Sequence, residues 1–352
     1  MKIGINKTWF KFGWWTFFIF LILFVHPFSP AQAGPSEFTV KFAAIAPEGS
    51  CWMDFANKIK GYVENRSRGR VKVIWYLAGV MGDEPEVVEK IQAGQLQGAV
   101  LTVTGLGKIH PAIRILSLPF FLQNYHEVDY ILDSMFPEFK RLFDEKGFVL
   151  LGFTEVGFPH LFTCSEPVRT VQDLSRLKMW SWKGEDLIEA ALKDLGFDNI
   201  RTTSLYETKG ALEKGLVNAF YVPCYAGLGL QWYSHAKYIS DFTLGYTSSA
   251  FVIDKKFFQG LPGDVQNIIQ QASDFMMKPL RTIIREEEEK ACQGMIRRGI
   301  KVSKPSPEFI SELKKRSQEI YFKYADQKYP RDLLQKIIDQ LEEYRSNKSQ
   351  NR

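Results

Sequence analysis

The chain has 352 residues, enough for two modest domains, and an ordinary globular composition enriched in aromatics. Its formal charge of +5 falls to +2 without Lys2, Lys7 and Lys11, which all sit in an N-terminal leader-like stretch, so nucleic acid and anionic lipid are excluded as electrostatic partners. Five scattered histidines and four cysteines without a Cys-x-x-Cys spacing argue against a metal or other cofactor.

The first residues read as a secretory signal peptide. A basic segment precedes an uncharged apolar run from Trp14 to Val25, and Ala31-Gln32-Ala33 forms an Ala-x-Ala cleavage site. The run is shorter than the ~20 residues of a membrane span. Cleavage before Gly34 would release the mature protein into the periplasm. Export makes disulfides possible, and Cys51, Cys164, Cys224 and Cys292 allow three complete pairings. No other segment reads as a membrane span.

Phe38 to Ala43 alternates as a first strand. Ser50 is placed to cap a helix whose inner face carries Met53, Phe55, Ala56, Ile59 and Val63. Val71 to Tyr76 is a second strand, and Pro85 suits the first turn of a helix ending at Gly94. Gly98 to Thr102 is a third, buried strand; Thr104-Gly105-Leu106-Gly107 after it reads as a plain turn. A helix follows over about Tyr125 to Ser134, then a strand from Gly147 to Thr154.

Ser165 to Pro223 supplies strand, helix, short strand, helix and strand, each of βα-unit length. Thr170 with Asp173, and Ser204 with Glu207, have capping-box spacing. Strands are expected at His235 to Ile239 and Tyr246 to Ile253. From Leu261 a helical pattern runs without a breaker to Gly294–Gly299, on the order of 45–50 Å at 1.5 Å per residue. Arg285 to Lys290 within it reads as a solvated charged face. Helix resumes after Ser306 and turns polar and frayed beyond Arg345. The alternation of β and α implies mostly parallel sheets with helices on both faces.

Pro167-Val168-Arg169-Thr170, Asp173-Leu174, Leu177-Lys178-Met179, Leu216-Val217-Asn218-Ala219 and Pro223 resemble the second lobe of DctP-like solute-binding subunits of TRAP transporters. Leu118-Pro119-Phe120 matches a further segment of that family. The resemblance covers nearly the whole mature chain. It implies an α/β, two-lobed periplasmic-binding-protein fold, each lobe a mostly parallel sheet flanked by helices, with a long helix spanning both. Lobe one would be residues 34–155 plus about 247–285, and lobe two 156–246 plus about 286–330, with 331–352 a helical tail. It also implies a small-molecule ligand held by hinge closure, small and large membrane subunits as partners, and a monomer or homodimer.

The departures fall where the family holds its ligand. An arginine that pairs with a ligand carboxylate after Leu-Lys-Met is replaced by Trp180. Gly-Phe-Arg becomes Gly157-Phe158-Pro159. The polar residues after Val-Asp-Gly become Phe220-Tyr221-Val222. The expected pocket is therefore apolar, built from Trp180, Phe220, Tyr221 and Phe158, with Trp75, Trp182 and Tyr225 as further wall residues. Its ligand would be apolar, aromatic or uncharged rather than a C4-dicarboxylate. Lys183 and Arg201 are candidates to replace the lost charge; each reads more readily as surface. Arg169 matches a structural arginine.

Two other classes are open to this sequence. One is an enzyme using Glu155, His160 and Cys164 as an acid–base set, although no convergent nucleophile, base or metal supports it. The other is a partner-binding scaffold with a decayed pocket.

Overall fold

The computed structural model describes residues 36–47 and 49–350. The leader and its cleavage site lie outside them. No helix among the described residues is long and apolar enough to cross a membrane.

The strands, in chain order, are β1 (Phe38–Ala44), β2 (Val71–Tyr76), β3 (Gly98–Thr102), β4 (Phe148–Gly157), β5 (His160–Thr163), β6 (Lys178–Trp182), β7 (Asn199–Thr203), β8 (Ala219–Val222), β9 (Tyr238–Thr243), β10 (Thr247–Asp254) and β11 (Lys301–Ser303). They form a five-stranded sheet in the order β2-β1-β3-β10-β4 and a six-stranded sheet in the order β11-β9-β5-β8-β6-β7. Each sheet is the heart of one lobe. β1 pairs parallel with β2 and β3, as βα alternation requires. The antiparallel members are the crossing strands: β10 returns from the second lobe between β3 and β4, and β5 enters between β8 and β9.

Both faces of the first sheet are buried. Ala43, Ala99, Leu101, Leu150 and Val252 pack on one side, and Phe42, Val100, Leu151, Phe251 and Ile253 on the other. This is the period-2 alternation of strands covered by helices on both faces. In the second sheet Leu161, Met179 and Ala219 face one side, and Phe162, Trp180 and Phe220 the other.

The helix Gly263–Arg297 ties the lobes together, about 50 Å of it at 1.5 Å per residue. Val265, Ile269, Leu280 and Ile284 pack on the first sheet, while Ala291 and Met295 pack on the second. A disulfide between Cys224 and Cys292 fixes its far end to the helix after β8. Cys51 and Cys164 are free thiols.

Several local expectations are corrected. Thr104–Gly107 lies inside a helix, Val103–Ile109, capped by the Thr102 hydroxyl. Its glycines answer close packing rather than turning: a Cβ on Gly105 would meet Glu84 at 3.0 Å, and one on Gly107 would meet Arg114 at 2.7 Å. Ser50 precedes its helix but does not cap it, because its hydroxyl donates to the Pro47 carbonyl at 2.6 Å. The helix from Tyr125 continues to Glu145, since Phe139, Leu142 and Phe143 extend its buried face past Pro137. Residues 232–235 form a 3-10 turn, so β9 begins only at Tyr238. The last helix runs Arg331–Gln350, with Arg345 held by Glu127 and the Phe121 carbonyl.

The charged run 285–290 is not a uniformly solvated face. Arg285 bonds Glu155 and Asp129 and lies 4.2 Å from the Tyr125 ring centroid. Glu288 is buried and accepts the backbone N–H groups of Cys224 and Tyr225 at 2.7 and 3.0 Å. Helical spacing puts both on the inner side of the spanning helix, where one meets the first lobe and the other the second.

Candidate ligand-binding cleft

The carboxyl ends of parallel strands from both sheets converge on one cleft, where open α/β sheets admit ligands. From the first lobe come Ala44 to Pro47 after β1, Trp52, Val100 and Thr102. From the second come Trp180, Trp182 and Glu185 around the end of β6, Leu205 after β7, and Tyr221 to Pro223 with Tyr225. The cleft is open at its mouth, and the space between its walls comes to about 950 Å³ with the solvent at the mouth included.

Four of the seven sequence-selected residues, Trp180, Trp182, Tyr221 and Tyr225, meet in this wall. Trp180 packs against Tyr221 with centroids 5.6 Å apart, and its indole donates to Thr203 at 3.0 Å. The other three lie elsewhere. Phe220 is fully buried, stacked on Phe162 and edge-on to Trp232. Phe158 packs against Tyr125 and Tyr246. Trp75 sits on β2 against Phe42 and Phe251. Phe220 and Phe158 fill lobe interiors, and Trp75 is half-buried against the first lobe's core. Pro159, next to Phe158, does line the cleft.

Neither Lys183 nor Arg201 lines the cleft; both are exposed. Among the described residues no Lys, Arg or His contributes to the wall. Sequence reasoning missed Trp52, Leu205 and Glu185. Trp52 stands in the first turn of its helix, where an aromatic could have been noticed as facing the β1 loop. Glu185 heads the helix after β6 and gives no local signal of its position.

Glu185 is the charged side chain of the wall. It accepts the Thr104 hydroxyl of the first lobe at 2.6 Å and the Tyr221 hydroxyl at 2.9 Å. Burial pushes its carboxyl pKa up, and the two hydroxyls and Arg114 pull it back. Other contacts cross between the lobes, among them Trp182 to Asp83 at 3.0 Å, Trp52 to Tyr225 at 3.2 Å, and Tyr206 to the Ile45 carbonyl at 3.2 Å. The lobes are thus hydrogen-bonded to each other around the cleft.

The residues weighed as catalytic are all engaged structurally. Glu155 is fully buried against Arg285 and accepts the Tyr246 hydroxyl. His160 donates Nδ1 to the Ser240 carbonyl. Burial pushes the Cys164 thiol up to about 11, which suppresses its thiolate. His160, Cys224, Glu288 and Cys292 place potential metal-ligating atoms within 4.8 Å of one another, but the two sulfurs are joined as a disulfide.

The family profile for bacterial extracellular solute-binding protein, family 7 (DctP), matches residues 42–328. The chain belongs to this family. This TRAP-type solute-binding protein is 24% identical over 303 residues to a solute-binding protein of Chromohalobacter salexigens, covering 85% of this chain and 86% of the relative. It is 22% identical to the ectoine-binding periplasmic protein TeaA of Halomonas elongata, covering 81% and 84% of the two chains. In three dimensions it is similar to the sugar acid binding protein DctPAm of Advenella mimigardefordensis in complex with galactonate. That match has a TM-score of 0.82 and 19% identity, over 88% of this chain and 99% of the other. The solute-binding protein therefore belongs to a family of extracytoplasmic transport subunits rather than enzymes.

Proposed function

We propose that this solute-binding protein, exported and cleaved before Gly34, captures a small solute with a substantial apolar or aromatic part. It closes on the solute by a hinge and delivers it to the small and large membrane subunits of a TRAP transporter. The hinge divides residues 34–155 with about 247–285 from residues 156–246 with about 286–330.

The observation that carries this reading is the wall itself: Trp52, Trp180, Trp182, Tyr221 and Tyr225, with no cationic side chain among the described lining residues. Apolar ligand surface buried there gains about 25 cal/mol per Å². A carboxylate would lose its water without gaining the charge-assisted bonds worth about 1.5–3 kcal/mol each, and its desolvation costs several kcal/mol. Mass spectrometry of small molecules released on denaturing freshly purified protein tests the reading. An aromatic or aliphatic solute is expected. A C4-dicarboxylate or sugar acid released in stoichiometric amount would contradict it.

A further inference from the structure

The side chains of the wall have spent most of their hydrogen-bond donors but kept acceptor capacity. All three indole N–H groups are committed to the protein: Trp52 to Tyr225, Trp180 to Thr203 and Trp182 to Asp83. The hydroxyls follow the same pattern. Tyr221 donates to Glu185, Thr102 to Glu84 at 2.7 Å, and Ser249 to the Leu101 carbonyl at 2.8 Å. Ser50 is likewise taken up by Pro47. Only the hydroxyls of Tyr225 and Thr247 show no protein acceptor among the wall's described residues.

The acceptor side is different. Glu185 accepts one bond on each oxygen, whereas a carboxylate offers about four lone-pair sites, so both oxygens keep capacity. Arg114, the cation whose charge acts on Glu185, lies outside the wall and is paired with Asp186 at 3.1 Å. Indole and phenol rings add π faces of negative potential, which attract cations most strongly where water is excluded. A cavity with aromatic walls, one carboxylate and only two uncommitted side-chain hydroxyls, those of Tyr225 and Thr247, is complementary to a ligand that is itself a cation.

We propose that the solute is an organic cation: an ammonium group on an apolar body, seated beside Glu185 and against the rings of Trp180, Trp182 and Tyr221. This rests on the apolar-cleft reading and sharpens it. Glu185 is then the residue that sets the charge preference.

The test uses three probes titrated by calorimetry into ligand-stripped, full mature protein: phenyltrimethylammonium, its uncharged isostere tert-butylbenzene, and benzoate. The cation is expected to bind at least about tenfold tighter than the isostere, with benzoate weakest. Glu185→Gln removes the carboxylate charge beside the quaternary nitrogen and should lose about tenfold toward the cation, while leaving the isostere within about twofold. The isostere is the control for structure, because a variant that merely disturbs the contact with Thr104 would weaken both ligands alike. Such parallel loss would remove Glu185 from the specificity role. Equal affinity of the cation and isostere for the wild type would overturn the cation proposal and leave the apolar cleft standing. Tightest binding by benzoate, or no binding by any probe, would overturn both.

Discussion

Thr104 of the first lobe donates to Glu185 of the second at 2.6 Å, closing the cleft through a hydroxyl–carboxylate bond. Trp182 to Asp83 and Tyr206 to Ile45 repeat the arrangement along the rim. These contacts are polar, and the proposed hinge motion, on the microsecond-to-millisecond scale, would have to break them on opening. The ligand would add the differential contacts that favour this closed arrangement.

Gly79 offers a way to hold the lobes apart. Its φ is +70°, and an added Cβ would stand 2.1 Å from the Tyr206 ring. Gly79→Ala should displace Tyr206 and strain the backbone by about 1 kcal/mol. Small-angle scattering at saturating ligand should then show a larger radius of gyration than wild type. Identical compaction would mean that Tyr206 yields without affecting closure.

Arg285 should be among the costlier residues to remove. Its guanidinium compensates Glu155, which has 0% exposure, and also bonds Asp129. Arg285→Met leaves a buried carboxylate unpaired and is expected to cost about 3–5 kcal/mol in urea unfolding. Adding Glu155→Gln to that variant should recover part of the loss. A single variant within 1 kcal/mol of wild type, on the order of a surface substitution, would rule out this role.

The Cys224–Cys292 bridge closes a separation of 68 residues. In the chain-entropy account, Cys224→Ser with Cys292→Ser should lower unfolding free energy by about 4 kcal/mol. Thiol titration of the denatured, unreduced wild type should count only Cys51 and Cys164. Four reactive thiols would show that the bridge does not form in solution.

Glu288 makes stability depend on pH in a defined direction. Burial raises its pKa from 4.5 to about 7, against the pull of the Tyr225 and Cys224 N–H groups. The folded state therefore binds a proton that the unfolded chain has lost, and stability falls as pH rises from 4.5 toward 7. The span corresponds to about 3 kcal/mol at ~1.4 kcal/mol per pH unit. Glu84, fully buried and raised to about 7 for the same reason, adds a slope shared by both proteins. Urea unfolding at pH 5 and pH 8 should show Glu288→Gln gaining on wild type as pH rises. A constant difference between the two would exclude this titration.

Much of the fold is legible in the chain. The strands near Phe38, Val71 and Gly98 announce themselves by alternation or by an apolar run, and the helix from Gly263 by its lack of breakers. The site is legible only in part, because type and spacing do not say where on a strand the cleft begins. Trp180 and Phe220 lie on adjacent strands and share one core cluster, yet only Trp180 reaches the wall. Glu185 and Trp52 enter the cleft through the relative placement of two lobes, which no local pattern encodes. The same holds for Arg285 and Glu288: their partners Glu155 and Cys224 are 130 and 64 residues away.

The proposed preference follows from a cleft wall rich in aromatic rings, with no cationic side chain among its described residues to pair with carboxylates. Its most direct test is calorimetric titration of ligand-stripped wild-type protein with succinate and, separately, with 2-phenylethanol. Saturable heat is expected with 2-phenylethanol, weakened by Trp180→Phe, and none with succinate up to millimolar concentration, a binding free energy weaker than about −4 kcal/mol. Micromolar succinate binding, unaffected by Trp180→Phe, would contradict it.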